Sequence, residues 1–121
     1  MVMAAERRTS GLVYRLAIQR NKDFTPRNPK DTEQPKDSNR LPGLSTTETP
    51  GRGKRNQVID LALLKEPLRA FADADNHVAI VPVDDQGEID RAKLEEWASF
   101  RDKKECHPLT QIMLDAIVGQ L

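Results

Sequence analysis

An arginine that directly follows a tyrosine is the residue in this sequence best suited to binding an anion. Arg15 follows Tyr14 in a segment of alternating apolar residues, and its planar guanidinium could hold a phosphate or carboxylate through two parallel hydrogen bonds. Further along the chain, Ser45-Thr46-Thr47 offers three hydroxyls that could bind the same ligand. An arginine on a strand is also compatible with a solvated charge at a sheet edge, so both interpretations stay open.

Candidate acids, bases and nucleophiles are few. The two histidines, His77 and His107, stand far apart in the chain and share no ligand spacing, so the sequence predicts no metal site. Glu88 is a candidate carboxylate by its position alone. Cys106 directly precedes a histidine, but adjacent side chains rarely face each other and no activating partner is evident.

A second basic segment, Gly51-Arg52-Gly53-Lys54-Arg55, combines glycine with three cations. It lacks the spacing of a P-loop and does not directly follow a strand. It could contact a phosphate backbone, or its charges could simply be solvated in a loop. The sequence leaves both possibilities open.

The whole chain has a formal net charge of zero, but its two halves carry opposite net charges. The 121 residues include 19 Lys+Arg and 19 Asp+Glu. Residues 1–57 hold 12 basic and 6 acidic side chains, a net of +6, and residues 58–121 hold 7 and 13, a net of −6. The balance argues against a uniformly charged nucleic-acid coat. The asymmetry is typical either of halves that complement each other or of a basic rim around an anionic ligand.

Several protein classes are excluded by composition. No apolar run approaches the roughly 18–20 residues that span a bilayer, so no membrane partner is expected. The first residues lack the apolar stretch of a secretory signal. A single cysteine rules out an intramolecular disulfide framework. We therefore expect a cytoplasmic protein.

The element that carries Arg15 is predicted to be a strand over residues 11–18, because apolar side chains alternate there. Four of them share one face: Leu12, Tyr14, Leu16 and Ile18. Arg15 is expected to project from the opposite face, with Val13 and Ala17.

Residues 19–57 predict one long polar loop. The segment holds five of the eight prolines and only three clearly apolar side chains, Phe24, Leu41 and Leu44. Such a loop is commonly either functional or disordered. It could cross a ligand cleft, with Leu41 and Leu44 anchoring it, or serve as a linker.

Residues 58–121 are predicted to form the remaining strands and helices. A strand near residue 58 leads into a short helical or irregular piece at 68–72. A further strand at 77–83 precedes a helix that Asp90 caps and a second helix that begins at Pro108. The chain is therefore predicted to be a single α+β domain over residues 1–121, with a small mixed or antiparallel sheet, two C-terminal helices and one long polar loop.

The Tyr14-Arg15 pair on the first strand, the Ser/Thr segment at 45–47 and the later acids resemble small ADP-ribosyltransferase-like toxins, including the compact type VI secretion effector family. The resemblance consists of short motifs scattered over residues 11–121. It implies a bacterial toxin that uses NAD to modify a macromolecular target, and an antitoxin or immunity protein as a further partner.

The resemblance also implies roles for individual residues. Arg15 would clamp the NAD pyrophosphate, with Tyr14 beside it. Ser45, Thr46 and Thr47 would hold the ribose or brace the arginine strand. A glutamate, or sometimes a histidine, stabilises the positive charge that builds on the ribose, so Glu88 and His77 are the candidates. The chain departs from the family in lacking a Glu-x-Glu or Gln-x-Glu pair on a late strand.

Two other classes remain as alternatives. One is a small RNA-binding or ribonuclease-type toxin that uses the basic loop at 51–55, with His77 or His107 as acid or base. The other is a non-catalytic interaction module of a toxin–antitoxin pair, whose long loop becomes ordered on its partner.

Overall fold

The computed structural model describes residues 5–30, 40–53 and 55–121, which form two antiparallel sheets and three α-helices. The predicted α+β class, with two helices towards the C-terminus, is confirmed. The strands are β1 (Glu6–Arg8), β2 (Leu12–Leu16), β3 (Leu44–Thr46), β4 (Asn56–Asp60), β5 (Leu68–Ala74), β6 (His77–Pro82) and β7 (Ile117–Gln120). The helices are α1 (Arg20–Asp23), α2 (Arg91–Ala98) and α3 (Pro108–Asp115), with a short 3-10 turn at Leu61–Leu63.

The first sheet has the strand order β1-β5-β6-β3. Strands β5 and β6 form a hairpin whose turn contains Asn76 at a φ of +54°, a conformation that asparagine tolerates. All six residues of β6 are buried, because β6 lies between two strands and α2 packs against it. This apolar strand is the centre of the molecule.

The second sheet has the order β2-β4-β7. Tyr14 and Thr47 exchange backbone hydrogen bonds of 2.8 and 2.9 Å. This pairing joins the middle of β2 to the residue directly after β3, so the two sheets meet where the candidate arginine leaves β2. The residues around Arg15 are therefore held from both sheets.

Both C-terminal helices begin where the sequence predicts. The Asp90 side chain accepts a hydrogen bond from the backbone N–H of Lys93 at 3.0 Å, as expected of an N-cap. Helix α3 starts at Pro108, and His107 caps it by accepting from the Leu109 N–H at 3.0 Å. Their buried apolar side chains, which include Leu94, Trp97, Leu109 and Met113, complete the main core.

The apolar face of β2 is opposite to the expected one. Val13 and Ala17 are buried, whereas Leu12 and Leu16 are about half exposed and Ile18 is exposed. Arg15 does share a face with Val13 and Ala17, as predicted, but this face points inwards. Alternation defines two faces of a strand, and only the packing partners decide which face is buried.

Several segments differ from the predicted elements, among them β1, which was not predicted. Residues 19–57 are not one uninterrupted loop, because α1, β3 and the start of β4 lie within them; part of this segment, residues 31–39, is outside the described residues. Residues 68–72 belong to β5 rather than to a short helical or irregular piece, since sheet pairing overrides weak local preference. The last strand, β7, was not predicted and pairs with β4. None of the helices in the described ranges is long and apolar enough to cross a membrane.

Candidate functional site

A cleft of about 360 Å³ opens beside Arg15, a size within the roughly 300–1,000 Å³ of small-molecule sites. Its walls come from β2, from the segment after α1, from the approach to β3 and from the turn after α2. The charged and hydroxyl side chains along it belong to Arg15, Asp23, Arg27, Ser45 and Arg101. The structure thus brings Arg15 and Ser45 together, although 30 positions separate them in the chain.

Two backbone carbonyls orient the Arg15 guanidinium. Nε donates to the carbonyl oxygen of Asp23, and Nη1 donates to the carbonyl oxygen of Ser45 at 2.7 Å. Ser45 therefore contacts Arg15 through its backbone. Within the described chain Nη2 has no protein acceptor, so the guanidinium is held in place with donors still available in the cleft.

Positive charge is concentrated in the cleft. Burial, the charges of Arg101 and Arg27, and an opposing contribution from Asp23 together lower the pKa of Arg15 to about 10. At neutral pH Arg15 stays protonated, so its charge is present and only partly compensated. Three guanidinium groups against one carboxylate make the cleft attractive to an anion.

Arg101 comes from the C-terminal half of the chain and is held in place by carbonyls of the N-terminal half. Its Nη1 donates to the carbonyl oxygens of Thr25 at 2.7 Å and of Lys22 at 3.2 Å. Thr25 in turn contacts the Thr110 hydroxyl at 2.7 Å, and Thr110 accepts from Trp97 Nε1 at 2.9 Å. These two hydrogen bonds of Thr110 are buried, and together with those of Arg101 they fix the segment after α1 against α2 and α3.

Asp23 is the only carboxylate among the residues that line the cleft in the described chain. Its Oδ2 accepts hydrogen bonds of 2.7 Å from the backbone N–H groups of Ile18 and Gln19. Burial disfavours the charged form, but these hydrogen bonds and the charges of Arg15 and Arg101 outweigh burial and lower the pKa of Asp23. Asp23 is therefore ionised at neutral pH.

The opposite wall of the cleft requires a glycine. Gly43 has a φ of +135°, and a Cβ there would lie 2.5 Å from the Ile80 carbonyl oxygen and 2.6 Å from Val81 Cγ1. The backbone at 41–43 can therefore lie against β6 only because position 43 has no side chain. Leu41 is tied down as well, since its N–H donates to Asp73 Oδ2 at 2.6 Å.

His77 lies outside the cleft, in a buried pair with Asp73. His77 Nδ1 and Asp73 Oδ1 are 2.5 Å apart, and both residues are buried. Asp73 occupies an irregularity in the pairing of β5 with β6, and such bulges redirect side chains. His77 Nε2 is buried without a partner in the described chain. The pair therefore touches the cleft only through the Asp73–Leu41 hydrogen bond.

The remaining predicted residues are not brought to the cleft. Thr46 is buried, and its hydroxyl donates to the Val78 carbonyl oxygen at 2.8 Å. Thr47 donates to the Thr49 carbonyl oxygen at 2.7 Å and pairs with Tyr14 through the backbone. Glu88 is exposed on the turn before α2, where its N–H donates to Asp84 Oδ1 at 3.0 Å.

The other basic segment and the second histidine lie outside the cleft. Arg52 and Arg55 are exposed, and Lys54 lies outside the described residues. His107 Nδ1 caps α3, which leaves the hydrogen on Nε2, 3.6 Å from Glu96 Oε1. No group of three or more His, Cys, Asp or Glu side chains that could hold a metal occurs in the described ranges.

Sequence reasoning missed Asp23, Arg27 and Arg101. Asp23 had a local signal, because an aspartate four residues after Gln19 can bind the free N–H groups at a helix start. Arg101 had no local sequence signal, because its proximity to Arg15 depends on how α2 packs against β6. Comparisons with family models, with curated proteins and with solved structures found no match to this chain.

Proposed function

We propose that the cleft beside Arg15 binds the pyrophosphate of NAD, and that the chain is an ADP-ribosyltransferase-like toxin that acts in the cytoplasm. The observation that carries the proposal is a guanidinium group held by two carbonyls, with two further arginines beside it and no acceptor for Nη2 among the described residues. A pyrophosphate has two negatively charged centres and suits such a cluster.

The residues present fit this ligand by their chemistry. Arg15, Arg27 and Arg101 would hold the two phosphate groups. Asp23 is ionised and lines the same cleft, so it would favour positive charge on a ribose bound there. Glu88 and His77 have no part in this proposal, because neither lines the cleft.

The proposed reaction is a group transfer. The bond between ribose C1′ and the nicotinamide nitrogen breaks, and nicotinamide leaves with the electron pair. A bond forms between C1′ and a nucleophile of the target, whose proton passes to solvent. Positive charge on the ribose in the transition state explains the need for a carboxylate. As a partner we propose an immunity protein, which would cover the cleft and so protect the cell that produces the toxin.

The experiment compares wild type with Arg15→Ala and with Arg52→Ala as a matched control, because Arg52 is exposed and lies outside the cleft. Isothermal titration with NAD measures binding, and growth after induction in a bacterium measures toxicity. We expect wild type and Arg52→Ala to bind NAD and stop growth. Arg15→Ala should lose at least about ten-fold in affinity, since hydrogen bonds to a charged group contribute about 1.5–3 kcal/mol.

Two outcomes would refute the proposal. Wild type that neither binds NAD nor slows growth would exclude this activity. Equal NAD affinity in wild type and Arg15→Ala would show that the ligand binds elsewhere. Toxicity without NAD binding would instead favour the RNA-directed or the non-catalytic alternative.

A further inference from the structure

A second, shallow and open surface lies next to the cleft and is strongly basic. This surface, here called the basic groove, has a volume of about 550 Å³ and runs between α1 and the turn after α2. Its lining residues are Gln19, Arg20, Asn21, Lys22, Arg101, Asp102, Lys103 and Lys104. Five are cations and one is an anion, in a chain whose formal net charge is zero.

The cations of the basic groove are only weakly compensated. Lys22 Nζ lies 3.6 Å from Asp102 Oδ1 at the exposed surface, where such ion pairs contribute little. Lys103 Nζ lies over the Phe100 ring, 4.3 Å from its centre. Arg20 and Lys104 are exposed and have no ion pair within the described residues. The groove therefore presents positive charge that is available to a partner.

The chemistry of the lining distinguishes between classes of polyanion. All eight lining residues are polar or charged. Protein interfaces are depleted of charged residues at their centre, whereas six of the eight lining residues are charged and none has a purely apolar side chain. Interfaces with nucleic acid are more polar and much more positive. The lining therefore favours a phosphate backbone over an acidic protein.

We infer that the basic groove binds the phosphate backbone of a nucleic acid, and that this nucleic acid is the target modified in the neighbouring cleft. The inference rests on the proposed function. Its structural basis is Arg101, which lines both the groove and the cleft. A strand that follows the groove and contacts Arg101 would therefore reach the edge of the cleft that holds NAD.

The test measures binding of a fluorescein-labelled single-stranded RNA by anisotropy over a range of salt concentrations. The groove variant is Arg20→Glu/Lys104→Glu. The control is Arg52→Glu/Arg55→Glu, which makes the same change in net charge on the other basic segment. We expect the groove variant to lose at least about ten-fold in affinity and the control to change by less than about three-fold. The slope of log K against log salt should fall by about 1.4, as for two lost contacts with a single strand.

Thermal unfolding of each variant checks the fold, and Arg20→Ala/Lys104→Ala provides a milder second variant. NAD affinity, measured separately, should be equal in wild type and groove variant. RNA binding that is absent in wild type, or that is lost equally in groove variant and control, overturns the inference. Equally tight binding of polyglutamate also overturns it, because the groove would then attract any polyanion.

Failure of the proposed function has a different signature. RNA binding that depends on the groove, in a protein that does not bind NAD, would contradict the NAD proposal and leave the groove a nucleic-acid site. NAD binding without RNA binding would contradict only the groove. Transfer of labelled ADP-ribose from NAD to the RNA, lost in both Arg15→Ala and the groove variant, would support the two together.

Discussion

The arginine cleft and the His77–Asp73 pair both contain residues of the kinds that enzymes use. Only the cleft is accessible to a ligand. Arg15 is oriented by two backbone carbonyls beside a cleft of about 360 Å³, and its Nη2 has no acceptor among the described residues. His77 and Asp73 are also close together, yet both are buried. Their contacts are with each other and with the Leu41 N–H. A buried histidine–carboxylate pair that a ligand cannot reach stabilises the fold.

The two regions meet at one short segment. Asp73 holds Leu41, and Gly43 lets the next residues lie against β6 before Ser45 reaches Arg15. The buried pair therefore supports the wall of the cleft without lining it. This difference predicts that the pair controls stability and that the arginine controls binding.

Asp73→Ala should produce the largest change in stability. Removing the carboxylate leaves the Leu41 N–H and His77 Nδ1 buried without their acceptor, which costs about 3 kcal/mol in the free energy of unfolding. Urea denaturation measures the loss, and Asp75→Ala, on the exposed neighbouring turn, serves as the control. A stable Asp73→Ala variant with impaired toxicity would reverse the comparison and make the pair functional.

Arg15→Lys should affect binding more than stability. Lysine keeps the positive charge but lacks the planar fork, and it cannot contact the carbonyls of Asp23 and Ser45 while also binding a phosphate in the same geometry. We expect about a ten-fold loss of pyrophosphate affinity by isothermal titration. Arg52→Lys should bind as wild type does. Unchanged affinity in Arg15→Lys would show that only charge matters in the cleft.

The smallest effect concerns pH. The folded protein lowers the pKa of Asp23, so the stability from its carboxylate is present above the unfolded pKa of about 3.9. That stability is lost as the pH falls through the folded value. The melting temperatures of wild type and Asp23→Asn should differ most at pH 7, and the difference should shrink as the pH falls below about 3.9. Asp102→Asn, at an exposed side chain, is the control, and a difference that grows as the pH falls would contradict the assignment.

Local patterns predicted five of the ten strands and helices in the described residues, namely β2, β4, β6, α2 and α3. Asp90 and Pro108 marked the starts of α2 and α3, because N-caps and first-turn prolines act within a few residues. Residues 68–72 were harder, since a short alternating segment suits more than one structure until a partner strand pairs with it. The pairing of β7 with β4 likewise joins segments that are far apart in the chain.

The candidate site was predictable only in part, because its contacts also join residues that are far apart in the chain. Arg15 and Ser45 were recognisable by residue type, but the sequence did not predict that Ser45 would offer its carbonyl rather than its hydroxyl. The net charges of +6 for residues 1–57 and −6 for residues 58–121 did not predict where positive charge lies on the surface. Arg101, Lys103 and Lys104 come from the acidic half, and the fold places them with Arg20 and Lys22 from the basic half.

By itself the sequence determined the α+β class, the two C-terminal helices and an arginine on the first long strand. Periodicity, caps and residue chemistry act over short distances in the chain, so these features follow from which residues are neighbours in the sequence. Only the tertiary structure decided that the face of β2 with Val13 and Arg15 points inwards, and that Arg101 stands beside Arg15. Burial and electrostatic attraction depend on distance in space, and folding sets that distance for residues far apart in the chain.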